Sequence, residues 1–134
     1  MSLIVDASVA VKWLSEEPGS AQAEVLLAGV DDLIAPELVL AEIGNALWKK
    51  AVARILDRRQ MLDGIQRVPA FFDRLVPVPE IATRATEIAL DLRHPVYDCF
   101  YLALAERERC SLITADKRLL SVAKKMKGIE VQKL

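Results

Sequence analysis

The chain has 134 residues, 53% of them hydrophobic, with a mean hydropathy of +0.24, which is one domain's length and ample material for one core. Its 18 basic residues are offset by 19 acidic ones, giving a formal net charge of -1 and a pI near 5.9, so nucleic-acid binding could rest only on local clusters and not on a global basic field. No apolar run approaches the ~20 residues of a membrane span, Asp6 interrupts the first apolar run where a secretion signal would be unbroken, and Cys99 and Cys110 read as buried free thiols; the expectation is a soluble, cytoplasmic protein.

Taken from the amino end, Leu3 to Val5 is an aliphatic run too short for a helix and closed by Asp6, which predicts a buried first strand. Ala7 to Leu14 carries Val9, Val11, Trp13 and Leu14, and the Pro18-Gly19 pair then breaks the pattern, giving a short helix and a turn. Ser20 is placed to cap a second helix, to about Ala28. Leu33 to Ala35, followed by Pro36, predicts strand two, and Glu37 to Val52 a long helix. Leu56 to Phe72 gives another helix, Leu75 to Val78 a weak third strand among prolines, and Ile81 to Leu92 a further helix. Pro95 suits a first helical position, and Cys99, Leu102, Ala103 and Ala105 recur at helical spacing, so Tyr97 to Arg107 is predicted helical with Asp98 in its first turn. Ser111 to Thr114 reads as a buried strand, and Asp116 stands where it would cap a helix over Lys117 to Lys125. Gly128 stops that helix, and Ile129 to Val131 supplies a last strand.

Strands alternating with helical patterns predict a parallel sheet with helices on both faces, since parallel pairing needs a crossover connection. The fold class is therefore α/β, a three-layer single domain over residues 1–134 with four or five strands. In such a sheet strand ends and helix starts meet at one edge, where ligands bind. Asp6, Asp98 and Asp116 fall there. On the long helix Glu42, Asn45 and Lys49 form a polar stripe at i, i+3 and i+7, while Val39, Ile43, Ala46 and Leu47 face elsewhere.

If these acids converge, electrostatics decides what sits among them. Two unit charges ~4 Å apart repel by about 1 kcal/mol in water and about 4 kcal/mol at an effective dielectric of 20. Either some carboxylates hold protons at neutral pH or a hard cation sits between them, and Mg²⁺ or Mn²⁺ prefers oxygen ligands of this kind. One histidine and two thiols make no Zn²⁺ ligand set. Acids holding Mg²⁺ are a common device for phosphodiester hydrolysis.

Asp6 in LIVDAS, Glu42 and Asn45 in LAEIGNALWK, Asp98 in YDCFYLALAE, and Thr114 with Asp116 in LITADKRL resemble the successive motifs of the PIN-domain ribonucleases, most of all the VapC toxins of toxin-antitoxin pairs. The similarity spans nearly the whole chain. It implies a three-layer α/β/α PIN-like fold, a Mg²⁺- or Mn²⁺-dependent endoribonuclease, a homodimer, and a VapB-type antitoxin that holds it inactive. Carried over by position, Asp6 and Asp98 are the principal metal ligands, Glu42 and Asp116 complete the acidic cluster, Ser8 and Thr114 support it, and Asn45 hydrogen-bonds a neighbouring carboxylate. Some relatives carry a further acid where this chain has Leu119, so the resemblance implies four carboxylates here.

Each assignment has a structural rival. Asp6 and Asp116 suit helix caps, Asp98 suits a helix dipole, and Glu42 suits a solvated surface. His94 before Pro95 reads as a cap or loop residue, and Trp13 and Trp48 as core or interface. A receiver domain needs paired acids after strand one, and a haloacid-dehalogenase-like phosphatase needs an aspartate where Ser8 stands; a PIN-like binding module without catalysis is the remaining alternative. Positive charge gathers at Lys49, Lys50, Arg54, Arg58 and Arg59 and again from Lys117 to Lys127, which makes Lys49, Lys117 and Arg118 the candidate phosphate contacts for an RNA that is single-stranded or looped. Apolar excess on Val9 to Leu14, Ala21 to Leu27 and around Trp48 suggests a groove for a partner helix.

Overall fold

A computed structural model describes residues 1–134. Five strands, β1 (Ser2–Val5), β2 (Asp32–Pro36), β3 (Arg74–Val76), β4 (Ser111–Thr114) and β5 (Val131–Lys133), form one sheet in the order β3-β2-β1-β4-β5. Every neighbouring pair is parallel. The helices are α1 (Ala7–Ala10), α2 (Ser20–Ala28), α3 (Leu38–Val52), α4 (Arg58–Arg67), α5 (Val78–Leu92), α6 (Val96–Glu108) and α7 (Lys117–Ala123).

The two-residue period of the strands builds two cores. Ile4, Ile34 and Leu112 point to one face, under Ile81, Ala85 and Ile88 of α5, the whole inner length of α6, and Leu119 and Val122 of α7. Val5, Leu33, Ala35 and Ile113 point to the other, under Val9 of α1, Ala23 of α2 and Val39, Ile43 and Leu47 of α3. The result is the three-layer α/β/α architecture. Helix α6 is buried from Cys99 to Ala105, which explains why its apolar residues show no single helical stripe. No helix is long and apolar enough to cross a membrane.

The strand order reverses once. The chain runs outward from β1 through β2 to β3, then crosses back under α5 and α6 to start β4 on the other side of β1. Connections therefore leave β1 and β4 in opposite directions, opening a crevice at their carboxyl ends.

Several boundaries differ from the sequence expectations. Gly19, with φ of 97°, occupies the cap position of α2; Ser20 is inside the helix and buried, its Oγ accepting the Glu17 N–H at 3.0 Å. Ala7 to Leu14 is one α-helical turn followed by a 3₁₀ turn over Val11–Trp13. The predicted helix over Leu56 to Phe72 begins later, because Asp57 and Gln60 form a reciprocal capping box, and it ends as a 3₁₀ turn over Val68–Phe71. Strand three stops at Val76 because Pro77 caps α5, which starts at Val78. Pro95 is likewise the cap residue of α6. The last strand is Val131–Lys133, beyond Ile129: it is a half-exposed edge strand, so polar Gln132 and Lys133 are tolerated in it. Both cysteines are free; Cys99 is buried, whereas Cys110 is only half-buried.

Two leucines on neighbouring helices separate packing from surface. Leu104→Ala, in the fully buried part of α6, is expected to lose about 2–5 kcal/mol of unfolding free energy in urea titrations, whereas Leu90→Ala on α5, 74% exposed, should stay within about 0.5 kcal/mol of the parent.

Candidate active site

The crevice at the carboxyl ends of β1 and β4 is an open cleft of about 420 Å³. Asp6 enters it from the residue after β1, Asp98 from the first turn of α6, Asp116 from the residue before α7, and Glu42 from the second turn of α3. Asn45, Ala46 and Lys49 line the same wall of α3, one and two turns beyond Glu42. Ala46 thus shares the polar side of the helix, while Val39, Ile43 and Leu47 turn into the core.

Asp6 is the most enclosed acid, 5% exposed. Its Oδ2 accepts hydrogen bonds from Ser8 Oγ at 2.5 Å and Thr114 Oγ1 at 2.9 Å. These hydroxyls reach further. Ser8 Oγ accepts the Ala115 N–H at 3.0 Å and Thr114 Oγ1 the Asp116 N–H at 2.9 Å, so the turn after β4 is fixed to the turn after β1. Burial pushes the Asp6 carboxyl up; the two hydroxyl bonds only partly offset that, and the charge of Asp98 adds to it.

Glu42 sits against Tyr101, a fully buried side chain whose hydroxyl donates to Glu42 Oε1 at 2.6 Å. Burial pushes Glu42 up to about 7, the Tyr101 bond opposes it, and the charges of Asp6, Asp98 and Asp116 raise it further. The phenol of Tyr101 is itself pushed well up, by burial and then by Asp6 and Glu42, so it remains a donor. His94 Nε2 lies 2.6 Å from Asp98 Oδ2 across the start of α6. Asp116 Oδ1 accepts the Arg118 N–H at 2.7 Å and caps α7, while the residue also lines the cleft. Asp6 occupies a cap position yet makes no side-chain cap bond, its carboxylate being held by the hydroxyls instead.

Residues the sequence grouped together are not all in one place. Lys49 lines the acidic cleft, but Lys117 and Arg118 line a separate, adjoining cleft. Asn45 donates to no carboxylate; it is exposed on the open side of α3. Leu119 is fully buried in the core, so that position offers the cleft nothing. Tyr101 and His94 were not singled out as site residues. Their only sequence signal is spacing: Tyr101 is three residues after Asp98 on α6, and His94 is four before it, just ahead of the helix.

As placed, no three acid, histidine or cysteine side chains stand close enough to ligate one metal ion. The donor set is nonetheless of the right kind for a small hard cation, being carboxylate and amide oxygen with no sulfur. Mg²⁺ binds through one or two carboxylates and keeps several waters, so an open cleft of this sort fits it better than a closed protein cage would.

A family model described as PIN domain matches residues 3–125. Ribonuclease VapC3 of Pyrobaculum aerophilum is 32% identical over 121 residues, covering 89% of this chain and 92% of that protein. The crystal structure of PAE2754 from Pyrobaculum aerophilum superposes with a TM-score of 0.74 at 24% identity, covering 98% of this chain and 83% of that one. A crystal structure of VapBC2 from Rickettsia felis, bound to a DNA fragment from its promoter, contains a chain matching at TM-score 0.72 and 14% identity, over 100% of this chain and 99% of that one. With its sheet order, its crevice and these matches in agreement, this chain belongs to the PIN-domain family, and VapC proteins are among its relatives.

Proposed function

We propose that this chain is a Mg²⁺- or Mn²⁺-dependent endoribonuclease that acts in the cytoplasm as the toxin of a type II toxin-antitoxin pair. The observation that carries the reading is one cleft lined by Asp6, Glu42, Asp98 and Asp116, with Glu42 held up to about 7 by burial and by the other three charges. Negative groups gathered at that electrostatic cost are compensated by a cation. The relative's name, a ribonuclease, supports RNA as substrate. A relative assembled as VapBC2 supports a VapB-type antitoxin as partner.

In this mechanism Asp6 and Asp98 would be the principal ligands of the cation, with Glu42 and Asp116 completing the set directly or through water. A bound Mg²⁺ supplies neutralisation of charge on the phosphate and a more acidic water. The protein's own groups do the positioning. Ser8 and Thr114 fix the Asp6 carboxylate, Tyr101 orients Glu42, and His94 holds Asp98. Glu42, lining the cleft beside the other three acids, is placed to take a proton from attacking water. Lys49 on the cleft wall faces the substrate phosphate, and single-stranded or looped RNA can lay its backbone into so open a site.

Cleavage of RNA in Mg²⁺ should fall by about 100-fold or more in Asp6→Asn and Asp98→Asn while circular dichroism and melting stay those of a folded protein. Mapped downstream fragments should begin with a 5′-phosphate. Undiminished cutting in EDTA sinks the metal mechanism, and intact activity in both variants sinks the site.

A second expectation follows from Glu42. Its folded pKa of about 7 lies above the ordinary value of 4.5, so the folded state binds the extra proton and the corresponding stability is full below pH 4.5 and lost as pH rises through about 7. Metal-free melting temperature should therefore decline between pH 5 and pH 8 and recover at pH 8 when Mg²⁺ is added. In Glu42→Gln the decline should be shallower; an unchanged slope would show that Glu42 does not titrate there.

The partner reading has support on the surface. Trp48, Val52 and Ile55, at the carboxyl end of α3 and just beyond it, are 54%, 64% and 62% exposed, an apolar group available to a second chain. Trp13, by contrast, is tied into the fold, its Nε1 donating to Ala23 O at 2.8 Å and its ring packed edge-on against Phe71. Light scattering of the purified chain should give the mass of a homodimer, and co-expression with the product of an adjacent small gene should yield a complex with suppressed nuclease activity. A monomer that ignores that product would refute the assembly.

A further inference from the structure

Beside the acidic cleft lies a second one, of about 340 Å³, between the corner joining α5 to α6 and the outer side of α7. It is lined by Arg93, His94, Lys117, Arg118, Ser121 and Lys125 together with two aliphatic residues, and by no acid. Arg93, Lys117, Arg118 and Lys125 are all exposed, and none forms a salt bridge. Several other cations of the chain are paired: Lys12 and Lys50 with Glu17, Arg84 with Glu106, Arg74 with Glu108 and Arg107 with Glu80. Four like charges gathered in one concave site make a local positive potential that favours an anion.

Two covalent or hydrogen-bonded links join this cleft to the acidic one. His94 lines the basic cleft and bonds Asp98 of the acidic cleft at 2.6 Å. Asp116 lines the acidic cleft and is followed at once by Lys117 and Arg118 of the basic one. A chain of phosphates passing the carboxylates thus meets the cations within the next few nucleotides. Arg93 has φ of 53°, a backbone state that glycine adopts without strain.

We infer that the Arg93–Lys125 cleft seats the backbone phosphates of the single-stranded RNA on one side of the cut, so that the substrate runs from the acidic cleft across His94 onto α7. The inference rests on the nuclease reading above but is tested apart from it. Arg93 and Lys125 are binding residues here, not catalytic ones.

Fluorescence anisotropy of an end-labelled single-stranded RNA of about 12 nucleotides, measured in EDTA over a range of salt, reads the seat without turnover. Arg93→Gly combined with Lys125→Ala relieves the backbone at position 93 while removing two charges. It should weaken binding about tenfold and flatten the slope of log affinity against log salt by about 1.4, two lost contacts at ~0.7 each. Arg109→Gly with Lys127→Ala is the control: Arg109 also has φ of 53°, both residues line a cavity with Ser111 at the start of β4, away from the catalytic edge, and the charge change is the same. That control should bind within about twofold of the parent, a change near the limit of measurement against the tenfold expected of a lost phosphate pair. Parental affinity and salt slope in the first double variant, or equal losses in both, would overturn the seat. A parent that binds RNA but never cuts it in Mg²⁺ would refute the nuclease reading alone, and the specific affinity loss would still support the seat.

Discussion

The Asp6 carboxylate, buried at the end of β1 and held by the hydroxyls of Ser8 and Thr114, is the contact on which the catalytic edge depends. A charged oxygen so enclosed costs free energy unless donors satisfy it. The donors come from both sides of the strand-order reversal: Ser8 from the start of α1 and Thr114 from the end of β4. Each hydroxyl also accepts a backbone N–H of the β4 turn. One acid therefore fixes the relative height of β1 and β4, and with it the direction in which Asp116 leaves the sheet. The aliphatic core sets the layers, but this polar knot sets the site.

That division explains which parts of the fold were legible in the sequence. Leu3 to Val5, Leu33 to Ala35 and Ser111 to Thr114 are continuous apolar runs because parallel central strands are buried on both faces, and they appear as β1, β2 and β4 with small shifts in their ends. The helices between them follow from spacing and length. Misplaced boundaries lie where a local bond outranks pattern: Gly19 in a left-handed conformation displaces Ser20 from the cap, and the Asp57–Gln60 box sets where α4 begins. The last strand was shifted because an edge strand needs few apolar residues, so Gln132 and Lys133 carry no hydrophobic signal.

The acids of the cleft were legible for a different reason. Charged residues at the ends of apolar runs are cheap signals of a carboxyl edge, and their order along the chain matched a family pattern. Their supports were not. Tyr101 is an aromatic residue in an apolar helix, and nothing in VYDCFYLALAE separates a core ring from one whose hydroxyl reaches Glu42 across 59 positions of sequence. The same holds for His94, whose proline neighbour reads as a loop feature while its ring meets Asp98. Spacing along a chain fixes the face a residue occupies; the partner arriving from another element is supplied by packing. Asn45 shows the same limit from the other side: it lines the cleft wall but is exposed there and bonds no carboxylate.

Net charge hides the functional electrostatics for a related reason. Glu17, Glu80, Glu106 and Glu108 are neutralised by lysines or arginines, and such pairs add little to the field beyond a Debye length. Asp6, Glu42 and Asp116 have no cationic partner at all, and Asp98 has only His94. These four acids share one cleft and four unpaired cations share the next, so a chain of net charge -1 carries a change of sign along its catalytic edge. A phosphodiester strand with its counter-cation has the complementary arrangement, anionic along its backbone and positive where the metal sits. The feature that identifies a ligand here is thus charge of each sign gathered side by side, which composition cannot report and a sheet edge with one reversal of strand order assembles.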